Sequence, residues 1–551
     1  VTQAAGSSFP DARRRFKVAV VGMLLTCVGS TTDCNHILGI QEKRLGDAGL
    51  LEPDFDLSIA ESRVRLVRGQ SVTVDVSITR TGGFAGTVSV AVTGQPVGVS
   101  SDDLEIPSPQ TTAVLTLHAT TSAVRGSAML NVYGLSQPVS SRSRPLQLIV
   151  QDPSGSPDLT FGGSGRVTLG FGTGGRGVGA GGVKLTPGTG TIVVCGYVRT
   201  DSTDSSVMLA RLTSDGVLDA TFGDHGIALG NSTGSSSDAC YSMFLRAGGG
   251  INLSGFGTPV GSGTHDVMVG RYTPAGKPDQ NTGAGGFATT HFGSTDSFAY
   301  ALLSGDNDSY IAGGAGPGGA LFVRYQKYGM LDQTFGSNGI ATIGPEGSTT
   351  RWLAQQSSGN IVAIDGSTFR VLRLTQAGRL DTAFANSGFA NLDGPGSSGA
   401  VILVAGQPKD ALLAVGTRTS ANGSQDIAVA RLSESGQLDT TFGTAGWAIA
   451  HFGGPSSKSV VSSAILQDDG AIVIAGQTPT DLGQAFTVVR VGPDGSLDTT
   501  FGPEGRQTLY PPDDLAQGIT LDDLGRIIVA GTGIVGTPDM SDGIVVYRLW
   551  P

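Results

Sequence analysis

Leu497-Asp498-Thr499-Thr500-Phe501-Gly502-Pro503-Glu504-Gly505 is one copy of a motif that occurs seven times along the chain. The aspartate that anchors it falls at Asp158, Asp219, Asp279, Asp332, Asp381, Asp439 and Asp498, with gaps of 61, 60, 53, 49, 58 and 59 residues. Three positions on stands Phe161, Phe222, Phe335, Phe384, Phe442 or Phe501, with Thr282 in the third copy. Seven positions on there is always glycine: Gly165, Gly226, Gly286, Gly339, Gly388, Gly446 and Gly505. A position held by glycine alone calls for a positive φ or a close backbone approach, so the motif is read as a tight turn into a strand. A fixed period of this length is the mark of a repeat architecture.

Each unit reads as four short strands. In the sixth they are Trp447–Phe452, Val460–Leu466, Ala471–Ala475 and Ala485–Val491, with Asp469-Gly470 as a hairpin turn. Gly476 closes the third strand, and Gly196, Gly255, Gly313, Gly416 and Gly531 are read as its counterparts, with Asp365 the exception. No stretch sustains a 3.6-residue apolar period, which excludes helix as the main element. Seven units of four strands predict an all-β chain with a seven-bladed β-propeller over 153–551.

The Leu-Asp-x-x-Phe-Gly-x-x-Gly signature resembles the delta-sixty repeat family. So do the strand Asp469-Gly470-Ala471-Ile472-Val473-Ile474-Ala475-Gly476 and the strand Ala428-Val429-Ala430-Arg431-Leu432. The resemblance covers about 157–550. It implies a propeller and a secreted or envelope protein, and it implies no activity.

An arginine stands in the last strand of every unit: Arg211, Arg271, Arg324, Arg373, Arg431, Arg490 and Arg548. Six are followed eight residues later by the motif aspartate. Such constant spacing suits a charge-assisted contact between strand and turn. One reading is a ring of arginines gripping an anion; the favoured reading is a structural pair repeated in each unit. Arg548 and Asp158 are left over at the two ends and are expected to meet when the ring closes.

Outside the repeats the chain reads as three further segments. Arg13-Arg14-Arg15 and the short apolar run Phe16–Leu25 read as a secretory signal over 1–27, too short to span a membrane. Leu24-Leu25-Thr26-Cys27 resembles a lipobox, so Cys27 is the expected lipidation site. Cys34 is the alternative, because Cys34-Asn35-His36-Ile37-Leu38-Gly39-Ile40 resembles the start of myxobacterial lipoproteins. Residues 28–53 then form a tether. Alternating strands at Phe55–Ala60, Ser71–Thr79, Gly86–Thr93, Thr112–Ala119, Ala128–Tyr133 and Leu146–Val150 predict an Ig-like β-sandwich over 54–152, with Gln151–Ser156 as linker. Arg80-Thr81-Gly82-Gly83-Phe84-Ala85-Gly86 resembles Ig-like modules of bacterial surface proteins.

Composition narrows the function. A net charge of −11 argues against nucleic acid as partner. Cys195 reads as a small buried residue, with a Cys195–Cys240 disulfide open in an oxidising compartment. The six histidines do not cluster, and no zinc spacing exists. Gly230-Asn231-Ser232-Thr233-Gly234 has the letters of a nucleophile elbow, and Gly170–Gly175 those of a dinucleotide loop, but neither has the following helix that its chemistry needs. No catalytic, cofactor or metal residue is therefore nominated. The expectation is a non-catalytic, monomeric envelope or surface lipoprotein (secretion being the alternative) whose propeller binds a protein or polysaccharide. The competing expectations are a carbohydrate-active hydrolase or lyase with paired acids in the channel, and a purely structural surface protein. Acids that break the repeat are Asp306, Asp308, Asp365 and Glu346. The segments that depart from it are Gln280–Gly286, Gly344–Thr350 and Asp365–Ser367.

Overall fold

The computed structural model describes residues 52–551 apart from 138, 140–141, 172–176, 200–203, 233–234, 367, 393–397, 404–409, 455, 481–482, 510–514 and 536–540. Cys27, Cys34, the signal and nearly all of the expected tether lie outside the described residues. Among the described residues the chain is all-β. Its only helical turns are three-residue 3-10 pieces at Asp306–Asp308, Lys327–Gly329 and Pro503–Gly505.

The first nine strands form two facing sheets. They are β1 (Asp54–Ile59), β2 (Arg63–Val67), β3 (Ser71–Thr81), β4 (Val88–Thr93), β5 (Val99–Ser101), β6 (Leu104–Ile106), β7 (Thr112–Ala119), β8 (Gly126–Leu135) and β9 (Arg142–Gln151). One sheet has the order β1-β3-β7-β5, the other β2-β9-β8-β4-β6. Period-two patterning drives the pairing: Leu57, Val74, Val76, Leu115, Leu117, Leu130, Val132 and Leu148 point inward into one core while polar neighbours face water. Strands β2, β5 and β6 escape the sequence reading. Two are only three residues long, and β2 alternates Arg with Val and Leu.

The remaining strands form a series of four-stranded antiparallel meanders. The first three are β11 (Val178–Leu185) to β14 (Ile227–Gly230), β15 (Ser235–Leu245) to β18 (Phe287–Thr290), and β19 (Phe298–Ser304) to β22 (Ile340–Ile343). Then follow β23 (Thr350–Gln355) to β26 (Phe389–Asn391), β27 (Ser398–Leu403) to β30 (Trp447–Ala450), and β31 (Val460–Leu466) to β34 (Arg506–Leu509). The first two meanders are linked by a single parallel bridge, Ser205 to Ser237. The last sheet is β35 (Leu515–Leu521), β36 (Ile527–Val535) and β37 (Ser541–Leu549), completed by β10 (Arg166–Leu169) from the other end of the chain. Strand β10 pairs β37 antiparallel, Arg166 opposite Tyr547 and Leu169 opposite Ile544. The first strands of successive meanders pack side by side, and β35 packs beside β11, so the series is a closed ring.

The sheets are offset by one strand from the units read in sequence. The strand after each motif is the outer, fourth strand of the preceding sheet, and each arginine lies on the third strand of its own. Seven apolar cores fill the spaces between neighbouring sheets. One, for example, joins Val183, Val194 and Met208 to Ile528, Ile544 and Val546 across the closure. The motif phenylalanines each plug one of these cores: Phe161, Phe222, Phe335, Phe384, Phe442 and Phe501 are at most 1% exposed. The core between β15–β18 and β19–β22 has Thr282 instead and is filled by Tyr310 and Tyr325.

The segment expected as a linker is docked. Asp152 is held by Arg68 (2.9 Å) and Arg125 (2.5 Å), and the Gly155 N–H donates to the Trp550 carbonyl at 2.9 Å. Arg65 donates to the Leu524 carbonyl at 2.7 Å, joining the N-terminal sheets to the closing sheet.

Candidate functional site

The motif turn explains its own residues. In the second copy the Asp219 N–H donates to Arg211 O, Phe222 N–H to Asp219 O, and Gly226 N–H to Phe222 O, all at 2.8–3.0 Å. The seven closing glycines lie at φ between +79° and +98°, a region L side chains rarely enter. This turn folds the carboxylate back over the strand it has just left. Asp219 lies 2.8 Å from Arg211, Asp332 2.8 Å from Arg324, Asp381 2.8 Å from Arg373, and Asp439 2.8 Å from Arg431. Asp498 is 2.5 Å from Arg490, and Asp279 3.5 Å from Arg271. At the closure Asp158 is 2.9 Å from Arg548.

The arginines do more than meet an aspartate. Arg211, Arg324, Arg373, Arg431 and Arg548 each lie 4.7–4.8 Å over the motif phenylalanine. They also donate to a carbonyl in a turn of the next sheet: Pro274, Gln376, Glu434, Pro493 and Ser214 respectively. Each of these guanidinium groups is thereby held between two sheets. Where the third motif has Thr282, Tyr328 from the next turn supplies the ring, 4.9 Å from Arg271. Nothing in the local motif signalled that replacement.

Burial opposes the charge on Asp158, but Arg548, the Thr160 hydroxyl and N–H, and Arg526 outweigh it and hold the carboxyl below the usual aspartate range. Thr221 and Thr441 do the same for Asp219 and Asp439.

The ring centre is built by a second repeated device. Each first strand carries an extra residue at a matching place where the pairing register shifts: Gly181, Tyr241, Tyr300, Arg351, Gly399, Ser462 and Gln517; β15 has a second shift, at Ser236. A β-bulge of this kind re-aims a side chain and bends its strand. Opposite it stands the repeated glycine: Gly196, Gly255, Gly314, Gly416, Gly476 and Gly531. A Cβ at Gly476 would overlap the Val460 carbonyl oxygen, and one at Gly196 that of Gly179. In the third sheet Gly314, not Gly313, holds this place, one residue from the sequence assignment. Asp365 holds it in the fourth, buried and 2.8 Å from Arg370.

The bulges open onto a central cavity of about 1130 Å³, lined by Gly181, Tyr241, Tyr300, Arg351, Ser462 and Gln517 together with Tyr197 and Lys184. Among the described residues a single carboxylate, Asp542, lines it. Tyr241 and Tyr300 lie 5.3 Å apart, and the Arg351 guanidinium sits 5.0 Å over the Tyr300 ring. Phe256 and Phe298 back them, 5.7 Å from Tyr241 and Tyr300 respectively. Burial, with Tyr300 and Tyr197 nearby, pushes the Tyr241 phenol up to about 12. Burial lowers the Lys184 amine.

The other residues singled out in the sequence do not gather there. Asp308 lies 3.7 Å from Arg271 and 3.3 Å from Lys327, at the turn after β19. Asp306 lines a separate cleft with Arg324 and Gln356, and Glu346 is exposed. His291 and His451 pair with the buried Asp266 and Asp426 at 2.8 and 2.6 Å. Cys195 and Cys240 form a disulfide between β12 (Ile192–Arg199) and β15, with Cα atoms 5.9 Å apart. Among the described residues no three His, Cys, Asp or Glu side chains assemble as a metal set.

The family model described as a domain of unknown function (DUF5122) beta-propeller matches residues 188–222, 411–442 and 467–501. Each match ends on a motif phenylalanine. The chain is thus an all-β protein with three segments of β-propeller type. No curated protein matches it. Among solved structures it is similar to the S-layer protein SbsC domains 4 and 5, at 18% identity and TM-score 0.15, over 18% of this chain and 53% of that one. It thus spans about half the length of that structure. It is also similar to SbsC domains 5–6, at 11% identity and TM-score 0.15, over 43% and 97% of the two chains. The ICAM-5 D1–D4 ectodomain fragment is a third, at 8% identity and TM-score 0.15, over 90% and 99%. At such TM-scores these likenesses define neither fold nor function.

Proposed function

We propose that this protein is a non-catalytic binding protein of the cell envelope or surface. Its seven meanders are the blades of one delta-sixty-type propeller, and the propeller offers the central cavity to a protein or glycan. One observation carries the reading. The bulge positions differ from unit to unit where the motif is nearly constant, and six of them line the cavity, with aromatic, amide, hydroxyl and cationic groups rather than paired acids. A hydrolase of the usual kind needs two carboxyl groups about 5–9 Å apart.

In this reading the arginine–aspartate pairs are structural clamps. Residues 54–152 are an Ig-like sandwich that acts as a stalk. Residues 1–27 direct export, residues 28–53 tether the molecule, and Cys27, or Cys34 in its place, carries the lipid. The molecule works as a monomer and has no nucleic-acid partner.

The test is a binding screen of purified protein against polysaccharides and envelope extracts, with product analysis on the same samples. Saturable binding without turnover is the expected result. New reducing ends or unsaturated sugars would overturn the non-catalytic reading, and no binding to any fraction would overturn the binding reading. Mass spectrometry of the mature N-terminus from a bacterial host checks the anchor: a diacylglyceryl cysteine at Cys27 or Cys34 is expected.

A further inference from the structure

The seven bulge residues are not spread evenly by size. Going round the ring, three consecutive sheets supply Tyr241, Tyr300 and Arg351, while Gly181, Gly399 and Ser462 leave much of the remaining circumference open. One wall of the cavity is therefore aromatic and cationic, and among the described residues the bulge positions on the other sheets are small or, at Gln517, neutral and polar. The open volume, about 1130 Å³, exceeds the roughly 300–1,000 Å³ of ordinary small-molecule pockets. It suits an extended ligand of several rings.

The wall is built and not incidental. The rings of Tyr241 and Tyr300 are each only half-buried, yet each is backed by a second aromatic, Phe256 and Phe298. Phe298 stacks on Tyr300 at an interplanar angle of 16°. Rigid amphipathic rings with polar tips are suited to a partner that has both apolar faces and hydroxyl edges. The Tyr241 phenol, pushed up to about 12, remains a neutral hydrogen-bond donor throughout the physiological range.

The charges add a second, independent indication. Arg351 is exposed and has no carboxylate partner among the described residues; its guanidinium lies over the Tyr300 face. The clamp arginines, by contrast, are all paired. Lys184 lines the same cavity three sheets round the ring from Arg351, and has no acidic partner among the described residues. It stands three residues past its bulge, where the other sheets have Phe244, Leu303, Ala354, Ile402, Ile465 and Thr520. Among the described residues that line the cavity, Arg351 and Lys184 outnumber the one carboxylate, Asp542, in a protein of net charge −11. A planar guanidinium left free on an aromatic face is well placed to take a carboxylate in bidentate fashion.

We propose that the cavity binds a uronic-acid-containing oligosaccharide. Sugar rings lie against the Tyr241–Tyr300 wall, and a carboxylate is taken by Arg351. This rests on the binding reading above and deepens it by naming the ligand class.

The experiment is calorimetry of the whole protein with galacturonate, glucuronate, mannuronate and guluronate oligomers, and with the corresponding neutral oligosaccharides. The expected result is saturable 1:1 binding of at least one uronate series and about ten- to hundredfold weaker binding of its neutral analogue. Arg351→Gln weakens the uronate and narrows that gap. Tyr300→Ala weakens uronate and neutral oligomers alike. Arg379→Gln, an exposed arginine outside the cavity, changes nothing. Circular dichroism and the unfolding midpoint check that each variant is folded. Equal binding of neutral and uronate oligomers, or binding untouched by Arg351→Gln and Tyr300→Ala, overturns the inference. So does capture of an acidic peptide in preference to every uronate. Failure of all uronates alongside retention of another envelope component sinks this inference and leaves the broader binding reading intact.

Discussion

Asp158→Asn tests the ring closure. Asp158 is fully buried and holds two guanidinium groups: Arg548 Nε at 2.9 Å and Arg526 Nη1 at 2.8 Å. Arg526 has a second acid, Asp522, at 2.6 Å, whereas Arg548 is 1% exposed and has Asp158 as its carboxylate. The amide keeps the shape and removes the charge, so Arg548 becomes a buried cation with only neutral partners. Breaking a buried pair from one side costs about 3–5 kcal/mol. The same change at Asp439, where both side chains keep about a fifth of their exposure, costs about 1 kcal/mol. Equilibrium urea unfolding of both variants at neutral pH compares them, read as a midpoint shift at constant slope. Unfolding rates serve if refolding is incomplete. Asp158→Asn should fall well below Asp439→Asn. Adding Arg548→Met to Asp158→Asn should recover part of the loss, because it removes the stranded charge. Equal losses at the two sites, or a double variant weaker than the single, would refute the argument that burial makes the closing pair different.

Other measurements follow from the same contacts. The Cys195–Cys240 bond spans 45 residues, and its replacement by two alanines should cost up to about 4 kcal/mol by loop entropy, seen as a lower unfolding midpoint. Gly476→Ala drives a methyl into the Val460 carbonyl opposite a bulge and should cost about 1–3 kcal/mol, whereas Gly454→Ala, in open space, should be near neutral. Asp158, Asp219, Asp279, Asp332, Asp439 and Asp498 all have folded-state pKa values below the ordinary 3.8. Their contribution is therefore complete above that value and is lost as pH falls through the folded values; stability against pH should be flat from 7 to 5 and drop below about 4. Thr441→Val, which takes a hydroxyl from Asp439, should shift part of that drop upward.

The repeat made the fold readable because its constraints are local. A turn that must fold Asp219 back onto Arg211 fixes residue types at fixed spacing, and the spacing survives in one sequence seven times over. The glycine of Gly476 type was visible too, but its cause was not: it answers to a bulge on the partner strand, which only register reveals. The same ignorance of register put Gly313 in the place of Gly314. The offset between units and sheets was hidden for a related reason. A motif marks where a strand begins and not which sheet will take it. Tyr328 standing in for the absent phenylalanine beside Arg271 comes from a different repeat and a different turn, so no comparison of like positions would find it. The cavity wall was the least legible part. Tyr241, Tyr300 and Arg351 lie at variable positions, and variability reads as noise until the bulges show that six of these positions line one space.

Strand β10 sits in its sheet only when β37 arrives, and the residues that meet across this seam, Asp158 and Arg548, are 390 positions apart. Every other sheet can be completed from neighbouring chain. Folding of the ring is thus divided into many local steps and one long-range step that comes last. Loop closure over such a separation is slow compared with forming a hairpin. In the interval β10 presents an unpaired edge, and a free edge will accept a strand from another molecule. For a chain that emerges from its N-terminal end, this window lasts from the appearance of Arg166 until Leu549 is delivered. The buried carboxylate at the seam makes the final docking specific: an intruding strand without an arginine in the right place leaves Asp158 charged, buried and short of a partner.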